Sequence, residues 1–128
     1  MNLIIRVLVG TCICISTAAT AQTDNVLLDR SFWKTQPTLM EVREMVEAGH
    51  DATTLNEYDF DAMSWALIEE ASLDVLSYLL EFEGNGVNKL THDERTYLFW
   101  AAYKDNLPFM LELARRGARF DIVDEHGY

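Results

Sequence analysis

Cysteine is nearly absent from this chain, with two in 128 residues, Cys12 and Cys14, both close to the N-terminus. Loss of that end would leave a body with no disulfide, no thiolate metal site and no cysteine nucleophile. Positive charge is also scarce. Ten Lys and Arg stand against 21 Asp and Glu, and a net charge of −11 repels phosphate backbones and anionic lipid surfaces, so nucleic acid is not expected as a partner. No run approaches the ~20 apolar residues that a membrane-spanning helix needs. What remains, 49% hydrophobic and 24% charged, is the composition of one folded domain.

Residues 1–21 read as a secretory signal peptide. They carry one positive charge at Arg6, an apolar stretch from Val7 to Ile15, and the small-x-small pattern Ala19-Thr20-Ala21 before Gln22. Cleavage after Ala21 would give a secreted or periplasmic chain with no integral membrane segment. Lipid attachment at Cys12 is disfavoured because Thr11 stands where Gly or Ala should precede the cysteine.

The body repeats itself. Trp65-Ala66 matches Trp100-Ala101 at 35 residues, Leu73 matches Leu107 at 34, and Gly84 matches Gly117 at 33. Leu39 and Gly49 extend the pattern upstream, 34 and 35 residues before Leu73 and Gly84. Each copy predicts a short helix and then a longer one. Asp61 and Thr96 are N-cap types for the short helices, and Thr38, Ser72 and Asn106 for the longer ones, with Thr38 and Glu41 in capping-box spacing and Pro108 at a first-turn position. Gly49, Gly84 and Gly117 are expected to end the longer helices in the left-handed conformation. Leu73, Leu76, Leu79 and Leu80, and then Leu107, Met110, Leu113 and Ala114, form apolar stripes that one helical pair cannot cover alone.

This pattern resembles the ankyrin repeat family. Thr96-Tyr97-Leu98-Phe99-Trp100-Ala101 and Asp61-Ala62-Met63-Ser64-Trp65-Ala66 stand where that family has T-P-L-H-x-A, and Gly117-Ala118, Asp124 and Gly127 follow its loop pattern. The Pro and His are replaced in both copies, and Asp59 and Glu94 occupy the turn glycine's place. The resemblance implies an all-α, ankyrin-type helix–turn–helix repeat solenoid with finger loops, after the signal peptide: the N-terminal part of a longer array in a secreted bacterial protein. Its expected units are residues 25–55, 56–90 and 91–123, with 124–128 opening a truncated fourth.

Chemistry is hard to find in this pattern. His50, His92 and His126 fall in loops without helical metal-ligand spacing, the serines lack a G-x-S-x-G context, and Gly84–Lys89 lacks phosphate-loop spacing. No catalytic residue, cofactor or metal is expected, and the chain reads as a non-enzyme. Trp33, Trp65 and Trp100 read as packed core. The resemblance implies a protein–protein interaction module of the cell envelope or secreted fraction; the alternative is an envelope stress-protective or assembly component. Partner contacts are expected at Glu57, Tyr58, Phe60 and Glu69 in one unit and at His92, Asp93, Arg95, Tyr103 and Lys104 in the next. Self-association through an uncapped last unit is also expected, with Leu98, Ala102, Met110 and Leu113 left uncovered.

Overall fold

The structure, a computed structural model, describes residues 24–128. The leader and both cysteines lie outside them. Six helices follow one another: α1 (Arg30–Lys34), α2 (Leu39–Glu47), α3 (Ala62–Ile68), α4 (Leu73–Leu80), α5 (Tyr97–Tyr103) and α6 (Leu107–Arg115), with single 3₁₀ turns at Val26–Leu28 and His92–Glu94. Two rows result. The shorter helices α1, α3 and α5 pack side by side in one row, the longer α2, α4 and α6 in the other, and α3 packs on α4 as α5 does on α6. The class is all-α.

Local chemistry starts most of these helices where the sequence places them. The Thr38 hydroxyl accepts the Glu41 N–H at 3.3 Å while Glu41 Oε2 accepts the Thr38 N–H at 2.7 Å, closing the capping box. Asp61 and Ser64 cap α3 reciprocally, each bond 2.8 Å long. Ser72 and Thr96 differ from expectation and cap nothing with their side chains. The Ser72 hydroxyl bonds Asp74 instead, and Thr96 Oγ1 is buried without a partner. Gly84 is not left-handed; a Cβ there would lie 2.6 Å from Thr53 Cβ, so close backbone approach is what demands glycine.

The core runs between the two rows. Val75, Leu76 and Leu79 of α4, Phe109 and Leu113 of α6, and Met63 and Leu67 of α3 are fully buried, each side chain contributing about 1.5–3 kcal/mol. The expected stripes are shifted at their start. Leu73 and Leu107, at the first helical positions, are 46% and 60% exposed, while Val75 and Phe109 two residues on fill the core.

A polar cluster crosses this core. The Asp61 side chain is fully buried, and Lys89 Nζ reaches its Oδ2 at 2.8 Å while also donating to the Thr53 carbonyl at 2.6 Å and to Asn85 Oδ1 at 3.1 Å. The Tyr97 hydroxyl donates to the same Asp61 oxygen at 2.7 Å, and Asn85 Nδ2 donates to the Ala52 and Leu79 carbonyls. Burial, then the Asp61 charge, push the Tyr97 phenol far above its usual range, so it stays a donor. Lys89→Ala would leave the Asp61 carboxylate buried without its cation, a loss of about 3–5 kcal/mol. Tyr97→Phe removes one neutral donor and should cost about 1–2 kcal/mol. Urea unfolding followed by circular dichroism checks the order; equal losses would show that the ion pair is not the dominant member.

Candidate functional site

Planar side chains gather where α1, α3 and α5 lie side by side. Phe60 stacks on Trp65 with ring centroids 4.0 Å apart at 17°, and on His92 at 4.4 Å and 20°. The Arg30 guanidinium lies 5.4 Å from the Trp65 ring and Arg95 lies 5.5 Å from Trp100, both within cation–π range. Along this stack runs an open groove of about 620 Å³, walled by Phe60, Trp65, Phe99, Trp100, Tyr103 and Tyr128. Arg30, Arg95 and Asp124 stand at its edge.

The two tryptophans differ in one atom's environment. Trp100 Nε1 donates to Thr91 Oγ1 at 2.8 Å, whereas Trp65 Nε1 is buried with no acceptor. The residue 35 before Thr91 is Asn56, whose Oδ1 is taken by the Tyr58 and Phe60 N–H groups. Reading the tryptophans as core captured the burial of Trp100 but not the half-buried state of Trp65, and missed that both also wall a groove; the unequal indole partners are not visible in the sequence.

The rim is charged and internally paired. Arg95 Nε donates to Asp124 Oδ2 at 2.9 Å and its Nη1 lies 3.3 Å from Asp93 Oδ2. Asp124 sits below the usual carboxylate range because it accepts the Tyr128 N–H; burial acts against this, and Arg95 and the His126 N–H add to it. Burial works to raise Asp93, and the His92 charge, hydrogen bonding with Glu125 and His126, and the Arg95 charge outweigh it, so its carboxyl also sits low. The expected contact residues thus separate. Phe60, Arg95 and Tyr103 line the groove, His92 and Asp93 lie at its rim, Glu69 pairs with Arg30, Lys104 lies 3.5 Å from Glu70, and Glu57 and Tyr58 are exposed on a turn away from it. Arg30, Phe99 and Tyr128 are groove residues the sequence reading missed.

No family model matches the chain. Among curated proteins it is similar to the putative palmitoyltransferase ZDHHC13 of Danio rerio, 30% identical over 91 residues, which is 70% of this chain and 14% of the relative. It is likewise similar to the palmitoyltransferases ZDHHC13 of Pongo abelii and Homo sapiens, 30% identical over 87 residues, 67% of this chain and 14% of each relative. The chain therefore spans about one seventh of the length of the relatives it matches.

These comparisons correct the sequence reading. The ankyrin-repeat identification and the ankyrin-type solenoid are not kept, because no family model matches and the similarity is to proteins named palmitoyltransferases. The physical counterpart lies in the motif: Tyr97, in the proline's place, enters the buried polar cluster, and Phe99, in the histidine's place, walls the groove. The expectation of a non-enzyme, whether interaction module or stress-protective component, gives way to the enzymatic name that all three relatives carry. With it falls the expected unidentified protein partner. The expected secreted or periplasmic location is withdrawn as well, since it came with the interaction-module reading and the relatives are named palmitoyltransferases. Among the described residues no helix is long and apolar enough to cross a membrane. Self-association through an uncovered last unit is withdrawn with that partner reading; of its four residues Leu113 and Leu98 are buried, Met110 is half-buried and Ala102 is exposed.

The indole asymmetry has a measurable result. Trp100→Phe leaves buried Thr91 Oγ1 without its donor, whereas Trp65→Phe deletes an N–H that had no acceptor, so the first should cost about 1–2 kcal/mol more. Paired urea midpoints test this; equal losses would mean that the Trp65 N–H is satisfied in solution.

Proposed function

We propose that this chain takes part in palmitoyl transfer, and that its aromatic groove holds the palmitoyl chain. The observation that carries the reading is the coincidence of an activity name shared by all three relatives with an open apolar groove built of ring faces. At about 620 Å³ the groove falls within the ~300–1,000 Å³ of small-molecule sites. Its wall favours an aliphatic chain for a simple reason. Arg30 and Arg95 are already paired with Glu69 and Asp124, so the surface offers area without an unmatched charge.

Residues 24–128 contain no cysteine, so any thiol that carries the acyl group lies outside them. Their contribution is to bind and orient. Tyr103, 74% exposed, stands in the wall and can be changed without opening the core. Titrating the purified chain with a palmitoyl thioester should give a saturable change in tryptophan emission, because Trp65 and Trp100 line the groove while Trp33 is fully buried. An acetyl thioester should give none, and Tyr103→Asp should weaken palmitoyl binding at least tenfold with unchanged helical circular dichroism. Absence of saturation, or equal binding by Tyr103→Asp, would overturn the proposal.

A further inference from the structure

We propose that Asn85 and Gly86 form a deamidation site that folding holds closed, and that its conversion in the unfolded chain bars refolding. The pair is the one Asn-Gly step in the sequence. A following glycine opens the asparagine amide to attack, because no Cβ crowds the backbone nitrogen that must approach it. Once base has taken its proton, the Gly86 nitrogen bonds to Asn85 Cγ, the Cγ–Nδ2 bond breaks, and Nδ2 gains a proton and leaves as ammonia. Water then opens the cyclic imide at either carbonyl, giving aspartate or isoaspartate at position 85. The sum is amide and water to acid and ammonia, with no other reactant.

The fold holds the two reacting groups apart. Gly86 is exposed to water and base, whereas Asn85 is 1% exposed. Every hydrogen-bonding position of the Asn85 amide is taken. Nδ2 donates to the Ala52 and Leu79 carbonyls at 3.0 and 2.9 Å, and Oδ1 accepts from Lys89 Nζ at 3.1 Å and from the Tyr97 hydroxyl at 3.2 Å. The donors on Oδ1 polarise the carbonyl and alone would favour attack. The acceptors on Nδ2 oppose it: imide formation requires the amide to swing toward Gly86 and give up its nitrogen, which breaks bonds that no water replaces in the core. The product, in turn, does not fit where the amide sat. A carboxylate only accepts, so the Ala52 and Leu79 carbonyls would face oxygen in place of N–H. It also sets a second negative charge beside Asp61, which already shares Lys89 and Tyr97 with Asn85, leaving one cation for two buried acids. Isoaspartate further lengthens the main chain next to Gly84, which has no room even for a Cβ against Thr53.

A chain left unfolded is thus chemically marked and shut out of the native state. The test holds the full chain at neutral pH under reducing conditions, in buffer and in guanidinium chloride, for increasing times. Peptide mass spectrometry then follows position 85, and circular dichroism after dilution gives the refolding yield relative to zero time. Conversion at Asn85 is expected to run at least tenfold faster in guanidinium, with the refolding yield falling in step. Gly86→Ala is the control. A Cβ there meets no atom within 4 Å, and Gly86 does not take the positive φ of Gly49, Gly117 and Gly127. This variant should fold normally, convert at least tenfold more slowly when unfolded, and keep its refolding yield. Equal conversion in the folded and unfolded chain, refolding undiminished after conversion, or a yield that falls equally fast in Gly86→Ala would overturn the proposal.

Discussion

The buried pair of Asp61 and Lys89 is the constraint on which the rest of this structure depends. A carboxylate with no solvent exposure is tolerable only if its oxygens are filled, and here Ser64, Lys89 and Tyr97 fill them from three segments of the chain. The same Lys89 ammonium ties down the carbonyl of Thr53, and Asn85 that of Ala52. Segments that share no helix are therefore fixed to one point. The two rows of helices pack around it, and the placement of Phe60, directly before Asp61, follows from where that point lies.

From this anchor the groove inherits its stiffness. Phe60 is bound on both faces by Trp65 and His92, and His92 is itself held by the carbonyl of Tyr58 and by the Asp59 carbonyl that accepts its N–H. Ring faces that cannot turn lose little freedom when a ligand lies against them. Asp93, Arg95 and Asp124 then carry the order outward to the last turn, so the groove wall and its charged rim form one continuous surface.

Much of the helical skeleton was legible because its signals are local. Thr38, Asp61 and Asn106 cap helices with their own side chains, and Gly49 and Gly117 take positive φ where the longer helices end. The lateral contacts were not legible. Asp61 reads as a cap, and its second role depends on Lys89 and Tyr97, 28 and 36 residues away. Leu73 and Leu107 look like core by spacing, yet the first position of each helix points outward. For the groove, Phe60 and Tyr103 were accessible to reasoning about aromatic residues near turns, whereas Arg30 and Tyr128 reach it only because distant segments fold against each other. The name shared by the relatives could not have been read from spacing at all.

Three residues closing the shorter helices, Gln36, Glu70 and Asp105, hold φ near +55°, at 57°, 58° and 52°, although none is glycine. A side chain with a Cβ has only a narrow well in that region. A glycine would swing freely there, whereas these residues behave as hinges with the pin driven in, each turning the chain through a set angle toward the next longer helix. The turn between the two helices of each pair is thereby written into a single backbone torsion. How each short helix hands over to its long partner is set by local stereochemistry before any side chain touches its neighbour.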